Sequence, residues 1–454
     1  MPGALPPNKV CLSSAFDVSR RAFDALSAGS LGKDETVDDT YPTTTSAQRC
    51  APRHILVDEE YVEEVEKAAK SSSFPALATE TEAEVTALDD VWFDDPDKAG
   101  LVAMYWSGDQ EATSVVDRIR AVDGSLYDMV APDHTVGVVV DPDTGEVATS
   151  PEAGGPAASA PRPTESTFGN RTDDDMVGTS VMVGVVDSGI RRHPWYEGSV
   201  LASPGSVDPV DTNGDGEIDR QAGHGTFVTG LILQQAPGAT VRVVRAFDEN
   251  GFVLVRAAAN AIVDLDRRGA DIINLSFGGY TRSNRMPLAH RKAFSRLRDS
   301  TVVVAAAGNH NPDDERQKAS MGRRFWPASM KRVVAVAALQ QNPDDGVKLA
   351  DFSNYGPWVT LSAVGTDVLS TFVSDFEDFR GWATWSGTSF AAPIVAGRIA
   401  AAMTDDKGEI IRTAKQAKQM VLDEATRAAT EAGVIGNGSG LGPVILSAEP
   451  KRQP

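Results

Sequence analysis

The residues of this chain whose types could together do chemistry are Ser389 in GTSFAAP, His224 in GHGTFVTG, Asp187 in VVDSGI and Asn309 in AAAGN. A serine hydroxyl becomes a useful nucleophile near neutral pH only beside a base. Ser389 stands just ahead of an apolar run reaching Met403. It is therefore either an ordinary helix cap, or a nucleophile at a helix N-terminus whose N–H groups and partial positive charge face a developing oxyanion. The heptapeptide alone leaves both open. The base must come from His54, His134, His193, His224, His290 or His310. The first two sit in an N-terminal region apart from Ser389, His290 lies in a basic helical context that reads as surface, and His193 and His310 read as loop residues. His224 alone has glycines on both sides, with Phe227, Val228, Leu231 and Ile232 at helical spacing behind it. That pattern sets an imidazole at a helix start and buries the apolar face behind it.

The elements that must position these groups are short runs of β-branched residues: 181–186, 241–247, 271–277, 301–307 and 332–339. Near-continuous apolarity predicts strands covered on both faces, hence an α/β fold with a mainly parallel sheet flanked by helices on both faces. The helices are expected at 224–235, 253–268, 286–298, 389–403 and 413–432. In such sheets ligands gather beyond the carboxyl ends of the strands. Three of the runs end in short polar or glycine groups there: Asp187-Ser188-Gly189, Gly278-Gly279 and Gly308-Asn309. Each alone is ordinary turn chemistry.

VVDSGI, GHGTFVTG, INLSFGG, AAAGN and GTSFAAP, in this order, resemble the five signature segments of the subtilisin-like serine proteases. The chemical order Asp, His, Ser is the one that family uses. The resemblance covers roughly residues 175–450, about 60% of the chain. It implies Ser389 as nucleophile, His224 as general base and acid, Asp187 as the carboxylate orienting the imidazole, and Asn309 with the Ser389 N–H as oxyanion donors. It further assigns Ser276, Phe277, Gly278 and Gly279 to an edge that pairs with substrate backbone. Ala307 and Gly308 then wall the pocket for the side chain before the cleaved bond, with WPAS (326–329) near its base. Because these walls are small and uncharged, sizeable apolar or aromatic side chains are expected to be tolerated there. Two departures from the family are visible: Phe390 stands where many members have methionine, and His310 occupies a position read as a polar rim.

The rest of the chain frames this unit. Residues 1–50 read as a weakly ordered lead, 51–140 as a small α+β domain and 141–172 as a Pro/Gly/Ala-rich linker, with the catalytic domain at 173–450. The N-terminal domain is built from the strands RHILV, LVAMYW and HTVGVVV and the helices DEEYVEEVEKAAK and DQEATSVVDRIRAV, and the family implies a pro-domain that docks on the catalytic unit. A permanent interaction module is the other reading of the same segment. Between its two halves, residues 80–97 carry an acidic stretch that reads as a solvated face.

The net charge of −21 argues against nucleic acid and anionic membrane surfaces and leaves protein or peptide substrates. No apolar run is long enough for a membrane span, and no secretory signal is recognisable, which makes cytoplasm the expected location. With two cysteines, Cys11 and Cys50, a disulfide framework is excluded. No cofactor is needed for the chemistry, but DTNGDGEID offers Asp211, Asn213, Asp215 and Asp219 with the look of a calcium loop. Ala222 stands where the closing glutamate belongs, so structural calcium is only one reading of the loop. A serine endopeptidase is thus the leading expectation, and the alternative is a catalytically silent peptide-binding protein that keeps the groove.

Overall fold

The computed structural model describes residues 50–71, 78–79, 99–105, 112–126, 128–137, 158–159, 176–212, 218–219, 221–247, 251–281, 284–311, 315–342, 346–374, 380–431 and 444–445. The lead before residue 50, the acidic stretch at 80–97, most of the linker, and any partner of Cys11 lie outside the described residues.

The N-terminal layer runs β1 (Cys50–Asp58), α1 (Val62–Ser71), β2 (Ala78–Thr79), β3 (Leu101–Tyr105), α2 (Ala112–Val122) and β4 (Val130–Gly137). β1 is central and antiparallel to both β3 and β4. Alternation along β1 divides its side chains between two cores. Ile55 and Val57 pack with Val65, Val115, Val116 and Ile119 of the two helices, whereas Leu56 faces the other way and joins the core of the larger unit.

The larger unit continues with β5 (Ala158–Ser159), β6 (Met182–Asp187), β7 (Val200–Ala202), α3 (His224–Gln235), β8 (Thr240–Arg245), β9 (Phe252–Leu254), α4 (Val255–Arg267), β10 (Ile272–Leu275), α5 (Leu288–Arg296) and β11 (Val302–Ala306). It ends with α6 (Glu315–Ser320), β12 (Val333–Asn342), β13 (Gly346–Leu349), β14 (Leu361–Val364), β15 (Val368–Thr371), β16 (Trp382–Trp385), α7 (Thr388–Met403), α8 (Ala414–Glu431) and β17 (Val444–Ile445). Eight strands form one parallel path, β17-β14-β12-β11-β10-β6-β8-β7, with β13 antiparallel on β12. The strands β6, β10, β11 and β14 are buried on both faces, and alternate residues divide between two cores. Val183, Val185, Val304 and Val336 pack towards α3 and α7, while Val186, Ile273, Val303 and Ala335 pack towards α4 and α5.

The chain leaves β6 through α3 to β8, then crosses through α4 to β10 on the opposite side of β6. The strand order therefore reverses about β6, and the crevice this opens at the strand ends is the ordinary place for a site.

Several contacts join the N-terminal layer to α4 and α5, among them a hydrogen bond from Arg291 to Asp128 O. Lys292 Nζ lies 2.7 Å from Asp58 Oδ1, Ala99 N–H donates to Asn260 Oδ1 at 3.0 Å, and Arg296 pairs with Glu59. β4 also pairs antiparallel with β9, Val136 opposite Val253. Within the linker region, Ala158 and Ser159 pair with Thr384 and Ala383 of β16.

Candidate active site

Asp187 ends β6, and His224 opens α3 immediately after Gly223, whose φ of 76° is a left-handed turn that suits glycine. The side chains meet: His224 Nδ1 lies 2.7 Å from Asp187 Oδ1, and both residues are almost wholly buried. A carboxylate only accepts hydrogen bonds, so Nδ1 carries the proton and Nε2 presents its lone pair. Among the described residues nothing hydrogen-bonds that buried Nε2. The ring is packed edge-on against Trp385, at a centroid distance of 5.6 Å, and tilted against Phe390 at 5.2 Å.

The pair is held from behind by Ser188, at the same strand end, and by Asp208, which the sequence did not single out. Ser188 N–H donates to Asp187 Oδ1 at 2.7 Å, and Ser188 Oγ accepts from Gly225 N–H at 3.1 Å while donating to Asp208 Oδ2 at 2.8 Å. Asp208 Oδ2 also accepts from Gly223 N–H at 2.8 Å, and Oδ1 from Val210 N–H at 3.3 Å. A buried carboxylate thus sits at the positive end of α3 and ties it to the end of β6. Burial pushes the Asp208 carboxyl above its usual range, against the opposing pull of these hydrogen bonds and of Arg245. Gly225 lets the two elements approach this closely: a Cβ there would run into Gly189 O and lie 3.2 Å from Asp187 Oδ1.

Ser389 stands in the first turn of α7, one residue before Phe390. Its Oγ donates to Ser276 O at 3.0 Å, and Ser276 Oγ donates to Ser389 O at 2.7 Å, which clamps the start of α7 to the end of β10. Asn274 Nδ2 supports Ser276 Oγ at 2.9 Å. Asn309, after β11, accepts at Oδ1 from Thr388 N–H at 2.9 Å and from Thr388 Oγ1 at 2.8 Å. With Oδ1 so occupied, the amide nitrogen is directed away from Thr388 and lies 3.5 Å from where a Cβ on Gly387 would be. Thr388 Oγ1 also accepts from Gly308 N–H at 3.1 Å.

The remaining expected residues fall as follows. Ser276 to Gly279 leave β10 beside Ala307 and Gly308, because β10 and β11 pair with Leu275 opposite Ala305. The Phe277 side chain is buried against Phe247, so only its backbone can face a groove. Gly279 exchanges both backbone hydrogen bonds with Trp326, each at 2.9 Å, so its own polar groups are already taken. His310 is a correction: instead of lining a polar rim it is buried, with its N–H on Phe352 O at 2.8 Å and Nε2 at 2.5 Å from Tyr280 Oη. His290 is another, fully buried rather than on the surface.

In the candidate calcium loop, Asn213 and Asp215 lie outside the described residues. Asp219 Oδ2 takes both Thr212 N–H, at 2.8 Å, and Thr212 Oγ1, at 2.6 Å. No group of three or more His, Cys, Asp or Glu able to hold a metal occurs among the described residues, so those present do not make a cage.

The subtilase family model matches residues 178–440, more than half of the sequence. The chain belongs to the subtilase family. This subtilase is 32% identical over 263 residues to the thermophilic serine proteinase of Bacillus sp. (strain AK1), covering 55% of this chain and 58% of the relative. It is 32% identical over 231 residues to thermitase of Thermoactinomyces vulgaris, covering 48% of this chain and 74% of thermitase. Among solved structures, that of fervidolysin from Fervidobacterium pennivorans, a keratinolytic enzyme related to subtilisin, superposes with a TM-score of 0.56 at 22% identity. That match covers 90% of this chain and 61% of fervidolysin, and shows a shared fold. The chain therefore spans less than two thirds of the length of the first of these relatives and of fervidolysin. No helix among the described residues is long and apolar enough to cross a membrane.

Proposed function

We propose that this subtilase is a serine endopeptidase that cleaves peptide bonds through an acyl-enzyme on Ser389. The observation that carries the reading is the buried 2.7 Å contact between Asp187 and His224, which leaves Nε2 as a bare acceptor in the crevice where α7 presents Ser389. In the first step Ser389 Oγ adds to the carbonyl carbon of the substrate, and its proton passes to His224 Nε2. Asp187 stabilises the imidazolium that forms. As the C–N bond breaks, the imidazolium returns that proton to the leaving amine. Water, deprotonated by His224, then adds to the acyl group and frees Ser389. Asn309 Nδ2 and the Ser389 N–H, at a helix start, are the donors for the tetrahedral oxyanion. For this sequence of events the Ser389 hydroxyl must turn from Ser276 O towards His224.

The N-terminal layer reads best as a pro-domain. Its seat on α4 and α5, its strand pairing with β9 and its paired charges at Asp58 and Glu59 support a chaperone-like contact that precedes maturation. Protein substrates are in keeping with the family.

Labelling with a fluorophosphonate tests the reading: one adduct on Ser389 is expected, abolished by Ser389→Ala and reduced by about 10⁴-fold in rate by Asp187→Asn. A folded protein freed of residues 1–170 that takes no adduct would instead be a silent peptide-binding protein.

A further inference from the structure

The segment assigned to substrate backbone, Ser276–Gly279, and the one holding the pocket walls, Ala305–Gly308, run side by side from paired strands. Their reactive end is fixed by Ser389 Oγ on Ser276 O at 3.0 Å and by Asn309, next to Gly308. A substrate side chain that enters here must pass between Gly278 and Gly308, where the missing Cβ atoms leave the room. That room is filled from within. A Cβ on Gly278 would collide with the ring of Phe325, lying 2.7 Å from its Cδ1, and a Cβ on Gly308 would lie 3.0 Å from the same ring. Phe325 is 1% exposed, in van der Waals reach of both glycines on the side where a substrate side chain would go.

The ring is held in place by its own main chain and by Tyr280. Phe325 N–H donates to Ser329 Oγ at 3.0 Å, and Ser329 N–H returns a bond to Phe325 O at 2.8 Å. The next residue, Trp326, is locked to Gly279 by the antiparallel bridge. Tyr280 packs T-shaped on the Phe325 ring at 5.1 Å, and its hydroxyl is held by His310 Nε2 at 2.5 Å and by Asn354 Nδ2 at 3.1 Å. Asn354 Nδ2 also reaches Ala307 O at 3.1 Å, which ties the brace to the second wall. Swinging the ring aside would open a void in a close-packed core and strain this buried polar set.

We propose that Phe325 is a specificity-determining residue: it plugs the primary side-chain slot and restricts this protease to peptides with Gly, Ala or Ser immediately before the cleaved bond. This rests on the endopeptidase reading and reverses the expectation, drawn from small uncharged walls alone, that sizeable aromatic side chains fit. The walls are small, but the space between them belongs to the protein.

The test uses the full-length chain and a set of internally quenched peptides that differ only in the residue before the scissile bond: Gly, Ala, Ser, Leu or Phe. The wild type is expected to show kcat/KM for Ala above that for Phe by roughly tenfold or more. Phe325→Ala is expected to raise the Phe-to-Ala ratio by roughly 10- to 200-fold, and Phe325→Leu, which keeps most of the core volume, by less. A wild type that cleaves after Phe as well as after Ala overturns the proposal, whatever the variants do. So does an unchanged ratio in Phe325→Ala with an undiminished fraction labelled at Ser389. Cleavage in the wrong order sinks the role of Phe325 alone. No cleavage of any peptide and no fluorophosphonate adduct on Ser389, once residues 1–170 have been removed, sinks the endopeptidase reading as well.

Discussion

Replacing Thr388 by valine keeps the shape of the side chain and removes the hydroxyl that Asn309 and Gly308 both use. Thr388 Oγ1 lies 2.8 Å from Asn309 Oδ1 and accepts from Gly308 N–H at 3.1 Å, all fully enclosed. The Thr388 N–H still holds Oδ1 at 2.9 Å, so the amide loses one of its two anchors and not both. One such bond is worth about 0.5–1.5 kcal/mol net, which converts to about 2- to 13-fold in rate. Complete loss of the asparagine donor sets the ceiling at roughly 10²- to 10³-fold, a figure that comes from subtilisin, itself a member of this family. The expected fall in kcat is therefore about tenfold, with KM nearly constant, because the oxyanion exists only beyond the ground state. The Gly308 N–H left without its acceptor should lower stability by about 1–3 kcal/mol. Steady-state kinetics on a peptide with alanine immediately before the scissile bond, normalised to sites titrated with a fluorophosphonate, separates the two effects. Thr388→Ser should restore both anchors. A valine variant with wild-type kcat per titrated site, or a serine variant as impaired as valine, refutes the idea that this hydroxyl orients the donor.

Two further perturbations address the supports of the site and the N-terminal layer. The folded-state pKa of Asp208 is raised by burial, so its protonation favours the fold; the stability this brings is complete below the ordinary carboxyl value and lost as pH rises through the raised one. The melting temperature of the wild type minus that of Asp208→Asn should hence shrink as pH climbs from about 4 towards neutrality, and a difference that widens contradicts the assignment. Lys292→Met removes the partner of Asp58, whose side chain is only 6% exposed. With a charge stranded at a buried contact, a cost of about 3 kcal/mol is expected, read as roughly 100-fold faster hydrogen exchange in β1; unchanged exchange there would mean that the pair contributes nothing.

The core of the fold is legible because strands buried on both faces need unbroken apolar runs. All five predicted strands of the larger unit occur, 181–186 as Met182–Asp187 and 301–307 as Val302–Ala306, and the five predicted helices match within about three residues. What periodicity could not reveal is pairing between distant short pieces. β9 and β5 are three and two residues long, too brief for a pattern, and each is a strand only because β4 or β16 lies beside it. The same limit applies to the site. Asp187, His224, Asn309 and Ser389 stand out because turns and helix starts leave local signals of glycine and small residues. Asp208 and Phe325 carry none: an aspartate among other aspartates and a phenylalanine after two arginines look like loop residues until the chain is folded. The burial of His290 and His310 is hidden for a related reason, since helix context and neighbours in sequence do not report what covers a ring from another element.

The distribution of these residues explains how the site can be both rigid and particular to this chain. Every group proposed for the chemistry sits at a strand end or helix start, on backbone whose position is fixed by the parallel sheet, and each is clamped by a second polar residue: Asp187 by Ser188, Ser389 by Ser276, Asn309 by Thr388. Such fixed dipoles need no rearrangement as charge develops, which is where the catalytic advantage lies. The slot beside them obeys a different constraint. Its walls are set by backbone hydrogen bonds that cannot change without moving the site, but its depth depends on one side chain arriving from the loop before β12. On the proposed function, a change at position 325 would alter which peptides enter while leaving Asp187, His224 and Ser389 untouched, and the buried phenyl ring there would hold the slot narrow.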